Sequence, residues 1–245
     1  ISRWLPLTPL DDRLAARRSR RRAACPAKPG SKEVQMSDLH TYSSDVGFTP
    51  AVKAIQARKG SREGYARVEA SGGWRTEIDD KLAGFLAEAN SLYLATATAD
   101  GQPYIQHRGG PRGFIKVLDE KRIGIIDFRG NMQYITVGNI STNHNVALIM
   151  VDYPARARLK ILARAEVVEL KDDPSLYELL DPKDYTFKPE RMMVFHIEAY
   201  DWNCPQHITP RYTVQEIEEA FEGQRNHIAK LEAEVKSLKM KLNDQ

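Results

Sequence analysis

The sequence predicts an α+β fold built on an antiparallel β-barrel, and three observations point to it. Short apolar strands follow one another from Ser91 to Tyr200. They are joined by tight turns such as Asp100-Gly101. Helix signals gather at the two ends of the chain instead of alternating with the strands. Segregated helices are the α+β pattern, and hairpin-linked strands close naturally into barrels. A chain of 245 residues that is 42% hydrophobic can fill the core this requires.

Thr49 and Pro50 read as an N-cap and an N1 proline, so a helix should run through Ile55 and stop near Gly60. Thr76 is expected to cap a second helix, whose first turn carries Glu77, Asp79 and Asp80. Leu82, Phe85, Leu86 and Ala89 would form its apolar face. Strands are expected at 91–98 and 102–108, at 113–118 and 122–128, at 146–152 and 158–170, and at 192–200, with a short helix at 173–180. The predicted divisions are 1–35 a disordered basic extension, 36–90 a helical segment, 91–210 the barrel, and 211–245 a C-terminal helix.

The charge is uneven. Residues 1–35 hold nine Lys or Arg against three Asp or Glu, a net +6, which leaves −3 on the remainder of a chain whose total is +3. Arg17 to Arg22 have no apolar period and no interleaved aromatics, so an upstream extension ahead of Met36-Ser37 is the favoured reading. A transit peptide and a nucleic-acid arm are weaker ones. The acidic remainder argues against a general nucleic-acid binder. No run reaches the ~18 apolar residues of a membrane span. Cys25 and Cys204, far apart and without redox spacing, suit a cytoplasmic protein with reduced thiols.

The tail has a pattern of its own. Val214, Ile217, Phe221, Gln224, Ile228, Leu231, Val235, Leu238 and Leu242 alternate spacings of three and four, with Glu and Lys at the flanks. That is a coiled-coil seam. The alternative is one amphipathic helix lying on its own barrel.

Several chemistries have no footprint here. A nucleophile elbow, a Walker loop and a dinucleotide fingerprint are absent. The six histidines, at 40, 107, 144, 196, 207 and 227, have no helix-face metal spacing, and His196 and His207 with Cys204 are too sparse a set, so no metal is expected. An enzyme without these groups needs an organic cofactor for the difficult step. Arg129-Gly130-Asn131-Met132-Gln133 follows a strand, and Arg129, Asn131, Gln133 and Thr136 offer donors suited to a phosphate. Gln106-His107-Arg108-Gly109-Gly110-Pro111 makes a poor buried strand, yet would suit a flat heteroaromatic ligand against exposed backbone.

From Phe48 to Pro210 the chain resembles the flavin-nucleotide-binding relatives of pyridoxamine-phosphate oxidase. The resemblance rests on Phe48-Thr49-Pro50-Ala51-Val52-Lys53, on Gln106 to Pro111, and on Asn203-Cys204-Pro205-Gln206-His207. It implies an FMN-binding split barrel, a homodimer with one flavin in each cleft between protomers, and an oxidoreductase acting on a small molecule or a nicotinamide nucleotide. By position, Gln106 to Pro111 would edge the isoalloxazine and ribityl chain, where His107 or Arg108 could balance the reduced flavin's charge. Ile126 and Asp127 would end the next strand beside the flavin. Met132 and Gln133 fall where the oxidase has consecutive basic phosphate ligands, so the charge must come from Arg129, Arg108 or Lys160. Arg158 would reach the flavin from the barrel, and Trp202 and Asn203 from the C-terminal segment. The oxidase's basic substrate motif has no counterpart, so oxidation of pyridoxamine phosphate is not expected. The alternative is a non-catalytic barrel that binds or senses flavin, deazaflavin or haem, the last with His196 or His207 as axial ligand.

Overall fold

The computed structural model describes residues 41–203 and 205–243. The expectations for residues 1–35, the start at Met36-Ser37, Cys25 and Cys204 lie outside them. A 3-10 turn at Ser43–Val46 leads into α1 (Pro50–Lys59), α2 (Arg62–Ala70) and α3 (Asp80–Glu88). Then come β1 (Ser91–Ala97), β2 (Pro103–Gly109), β3 (Lys116–Val117), β4 (Arg122–Phe128), α4 (Ile135–Ile140), β5 (Asn145–Asp152), β6 (Ala157–Val168), α5 (Pro174–Leu180), β7 (Pro189–Asn203) and α6 (Val214–Asn243). No helix among the described residues is long and apolar enough to cross a membrane.

α1 forms where its caps dictate. Thr49 Oγ1 accepts from the Val52 amide at 3.3 Å, and Gly60 ends the helix in the left-handed region that glycine enters freely. α3 departs from expectation: Asp79 caps it, its carboxylate accepting from the Leu82 amide at 2.8 Å. Thr76 lies upstream, in the turn whose Ile78 amide bonds the Glu120 carbonyl at 2.7 Å. α2 has no counterpart in the predicted elements. It lacks a clean apolar period and is held by charge instead, through Glu69 to Arg62 and to Lys53 at 3.2 Å.

The strands form one antiparallel sheet in the order β2-β1-β5-β6-β7-β4-β3. Leu92, Leu94, Ile123, Ile125, Leu148, Met150, Leu159, Ile161 and Phe195 face inward with Leu82 and Leu86 of α3, forming the main core. Across β4 the period of two divides the faces. Ile123 and Ile125 look into the barrel, while Ile126 joins Leu180 and Met192 beneath α5 on the outside. β3 is far shorter than the expected 113–118, because Gly113, at φ +75°, and its neighbours make a turn. β7 is longer than expected at both ends.

The sheet curls until β2 meets β4, and side chains rather than a backbone ladder close that seam. Arg108 of β2 is ion-paired with Asp127 of β4. α4 lies across the same opening: Thr136 Oγ1 donates to Gln106 Oε1 at 2.9 Å, and Asn139 Nδ2 to Thr96 Oγ1 at 2.9 Å. This is the split of the barrel.

Candidate functional site

The cleft at the seam is built by the alternation of β2. Tyr104, Gln106 and Arg108 point into it, and His107 points out, edge-on to Tyr93 at 5.4 Å. Facing them are Asp127, the loop Gly130 to Tyr134, the start of α4, and Glu190 and Arg191 of β7. Asp127 shares a strand face with Ile123 and Ile125, so its carboxylate sits at the mouth of the core and is 3% exposed. Each oxygen takes one guanidinium: Oδ1 is paired with Arg108, and Oδ2 accepts from Arg191 at 3.0 Å. Burial pushes the Asp127 carboxyl up from its ordinary value, and the attraction of Arg108 and Arg191 offsets only part of that.

A second layer orients Arg191. Glu190 Oε1 lies 3.0 Å from its Nη2 and accepts from Tyr134 Oη at 2.8 Å. The guanidinium stacks over the Tyr134 ring at 5.1 Å. The hydrogen bond to Glu190 raises the Tyr134 phenol above its ordinary pKa. Met132 and Tyr134 have φ of 58° and 57°, a left-handed backbone that is costly for side chains of this size. Such conformations build the concave arrays of N–H groups that receive anions.

Of the predicted residues, the seam thus gathers Gln106, Arg108, Asp127, Asn131, Met132, Gln133 and Thr136. Arg129 adjoins them, its Nη2 lying 3.3 Å from Met132 Sδ. A second group is formed by Arg158, Trp202 and Asn203, where Arg158 pairs with Val151 on one side and Asn203 on the other. Gly109 follows Arg108 on β2 and pairs with Ser91. Trp202 packs edge-on to Phe85 at 5.0 Å. Gly110 and Pro111 continue from Gly109, and a Cβ on Gly110 would come within 2.7 Å of Phe114. Phe128 pairs near one end of β7 and Arg158 with the other, so the loop from Arg129 to Gln133 and the group of Arg158, Trp202 and Asn203 lie apart within one chain.

Besides His107, two predicted residues point elsewhere. The Ile126 side chain belongs to the cluster under α5, and Lys160 faces outward, 3.8 Å from Asp201. Arg156 and Asp152, close in sequence, do not pair with each other. Asp152 accepts from the Ala155 amide at 2.8 Å, and Arg156 donates to the Pro205 carbonyl at 3.3 Å. The sequence reading passed over Tyr104, Tyr134, Glu190 and Arg191. For Arg191 a signal existed, since a Glu-Arg pair opens the apolar run Met192-Met193-Val194-Phe195.

Buried polar nitrogens without partners mark both groups. Among the described residues Arg108 Nε, Arg158 Nε and Trp202 Nε1 are buried and make no hydrogen bond. Native proteins leave few such groups, so three on predicted binding residues call for an explanation.

Residues 78–201, half of the chain, match the model of the pyridoxamine 5'-phosphate oxidase family. No curated protein matches. Among solved structures, HupZ of Group A Streptococcus is similar at 18% identity over 55% of this chain and 99% of that one, with a TM-score of 0.42. An FMN-binding protein from Syntrophomonas wolfei aligns at 12% identity over 64% of this chain and 98% of its own, TM-score 0.38. A Clostridium acetobutylicum protein related to general stress protein 26 aligns at 17% identity over 57% and 99%, TM-score 0.37. On the family match across α3 and the strands up to Asp201, the chain belongs to the pyridoxamine 5'-phosphate oxidase family.

Proposed function

We propose that the protein is an FMN-dependent oxidoreductase whose flavin sits in clefts between two copies of the chain. The observation that carries this is the set of unsatisfied buried nitrogens on Arg108, Arg158 and Trp202. A phosphorylated heteroaromatic with carbonyl and phosphate oxygens is the kind of ligand that would satisfy them. The residues present fit such a group. The seam offers Arg108, Arg129 and Arg191 against Asp127 and Glu190, an excess of positive charge without the basic pair that Met132 and Gln133 replace.

The separation of the two residue groups supports a shared cleft. Arg158, Trp202 and Asn203 of one copy would complete the seam of the other. A surface for that pairing exists on the outer face of β1, β2 and β5. Tyr93 and Ile105 are exposed there, and Ile149 and Val151 half-exposed, around the small Ala95 and Ala147. An apolar sheet face of this kind marks an interface.

FMN would supply hydride exchange at its N5, with a small molecule or a nicotinamide nucleotide as the other party. The chain's own part is positional and electrostatic. Asp127 holds Arg108 and Arg191 in fixed directions, and the cations face the negative charge of a reduced ring or its phosphate. Titrating the purified full chain with FMN, followed by quenching of flavin fluorescence, tests this. Saturable binding is expected, together with its loss in the Arg129→Ala, Arg158→Ala double variant at unchanged circular dichroism. Full retention by that variant would refute the site.

A further inference from the structure

α6 is a helix of 30 residues, ~45 Å long at 1.5 Å per residue, and its apolar stripe lies in water. Val214, Ile217, Phe221, Ile228, Leu231, Val235, Leu238 and Leu242 are between 46% and 73% exposed. The helix is tied to the barrel at its first turn, where Arg112 lies 3.6 Å from Glu216. A helix in a protein takes most of its stability from packing one face, and Gly223 weakens this one further. Its uncovered stripe therefore needs a partner.

The sequence of the stripe specifies which partner. With Val214 at position a of a heptad, the a series is Val214, Phe221, Ile228, Val235 and Leu242, and the d series is Ile217, Gln224, Leu231 and Leu238. β-Branched residues at a with leucine at d, as in Ile228-Leu231 and Val235-Leu238, favour two parallel strands. The flanks agree. In a parallel, in-register pair, each g position meets the next e position of the other helix. Glu234 then meets Lys239, His227 meets Glu232, and no like charges face each other. Gln224 is the single polar layer, and in register its amide meets its own copy and can bond to it. Antiparallel, Gln224 would face Val235 and lose that partner. We infer that α6 forms a parallel, in-register two-stranded coiled coil with α6 of a second copy of this chain. This goes beyond the flavin reading and does not depend on it.

The test uses the full chain with Cys25→Ser and Cys204→Ser, so that an introduced thiol is the only one. Leu238→Cys at position d should give a covalent dimer under mild oxidation, while Ala233→Cys, on the opposite face, should not. Glu234→Lys should reduce the cross-link, and Glu234→Lys with Lys239→Glu should restore it. Failure of Leu238→Cys to cross-link, or equal yields from both positions, would overturn the inference. An antiparallel pair, a different partner or packing on the barrel would each give that failure. Flavin binding is read separately and is expected to be unaffected.

Discussion

Asp127 is the residue on which the seam turns. Two guanidiniums share one buried carboxylate, and removing it leaves Arg108 without a counter-charge and Arg191 with Glu190 alone. Asp127→Ala should therefore cost about 3–5 kcal/mol, the usual loss when a buried pair is broken from one side. Urea unfolding measures it, and a change within experimental error would show that the pair does not hold the barrel shut. Gly110 makes a second prediction at this scale. A methyl group there meets Phe114 at its Cβ and Cγ, close to the backbone, so neither side can yield easily. Gly110→Ala should cost about 1–3 kcal/mol by overpacking. A thermal melt unchanged from the parent would contradict that. The Arg-Gly-Asn and Gly-Gly-Pro signals were legible residue by residue because such types are costly in a core strand. The charge network was less so, since Asp127 and Arg191 are 64 residues apart and only the β4–β7 register brings them together.

At the scale of elements, the sequence located most strands and α1 because caps, turns and apolar alternation are local signals. It missed α2, which is held by an ion pair between its own Arg62 and Glu69 and by another from Glu69 to Lys53 of α1. In the segment from the 3-10 turn to α2, burial opposes ionisation of Asp45 and Glu69. Hydrogen bonds from Lys53 and the Tyr42 amide to Asp45, and from Arg62 and Lys53 to Glu69, outweigh it and hold both pKa values low. The hydrogen bond that Lys53 donates to Asp45 raises the Lys53 value. Lowered carboxylate values contribute stability above the ordinary carboxylate range, and it is lost as pH falls through the folded-state values. The raised Lys53 value contributes stability below the ordinary lysine value, lost as pH climbs through the folded one. Trp74, packed against Phe48 at 4.9 Å, reports on this segment. In a Trp4→Phe, Trp202→Phe background its emission should shift to the red on acidification, and Lys53→Met should move that transition to higher pH. Identical acid midpoints for the two proteins would exclude the network as the cause.

For the whole molecule, the fold class was legible because helices gather at the ends and hairpins in the middle. The division of the candidate site was not. Sequence order placed Arg129 and Arg158 in one list, and only the sheet register shows that they stand at opposite ends of β7. On the reading proposed above, the half-site at each end of the chain would be completed by a second copy related by a two-fold axis. That arrangement has a consequence no single-chain site shares. Arg129→Ala and Arg158→Ala each damage every cleft of their own homodimers. In a mixed dimer one cleft carries both lesions and the other carries neither. Co-refolding equal amounts of the two single variants and titrating with FMN measures this directly. The account predicts that binding returns at about a quarter of the clefts, the share expected from random pairing of two-fold dimers. Binding by the mixture no greater than the average of the two variants alone would contradict it.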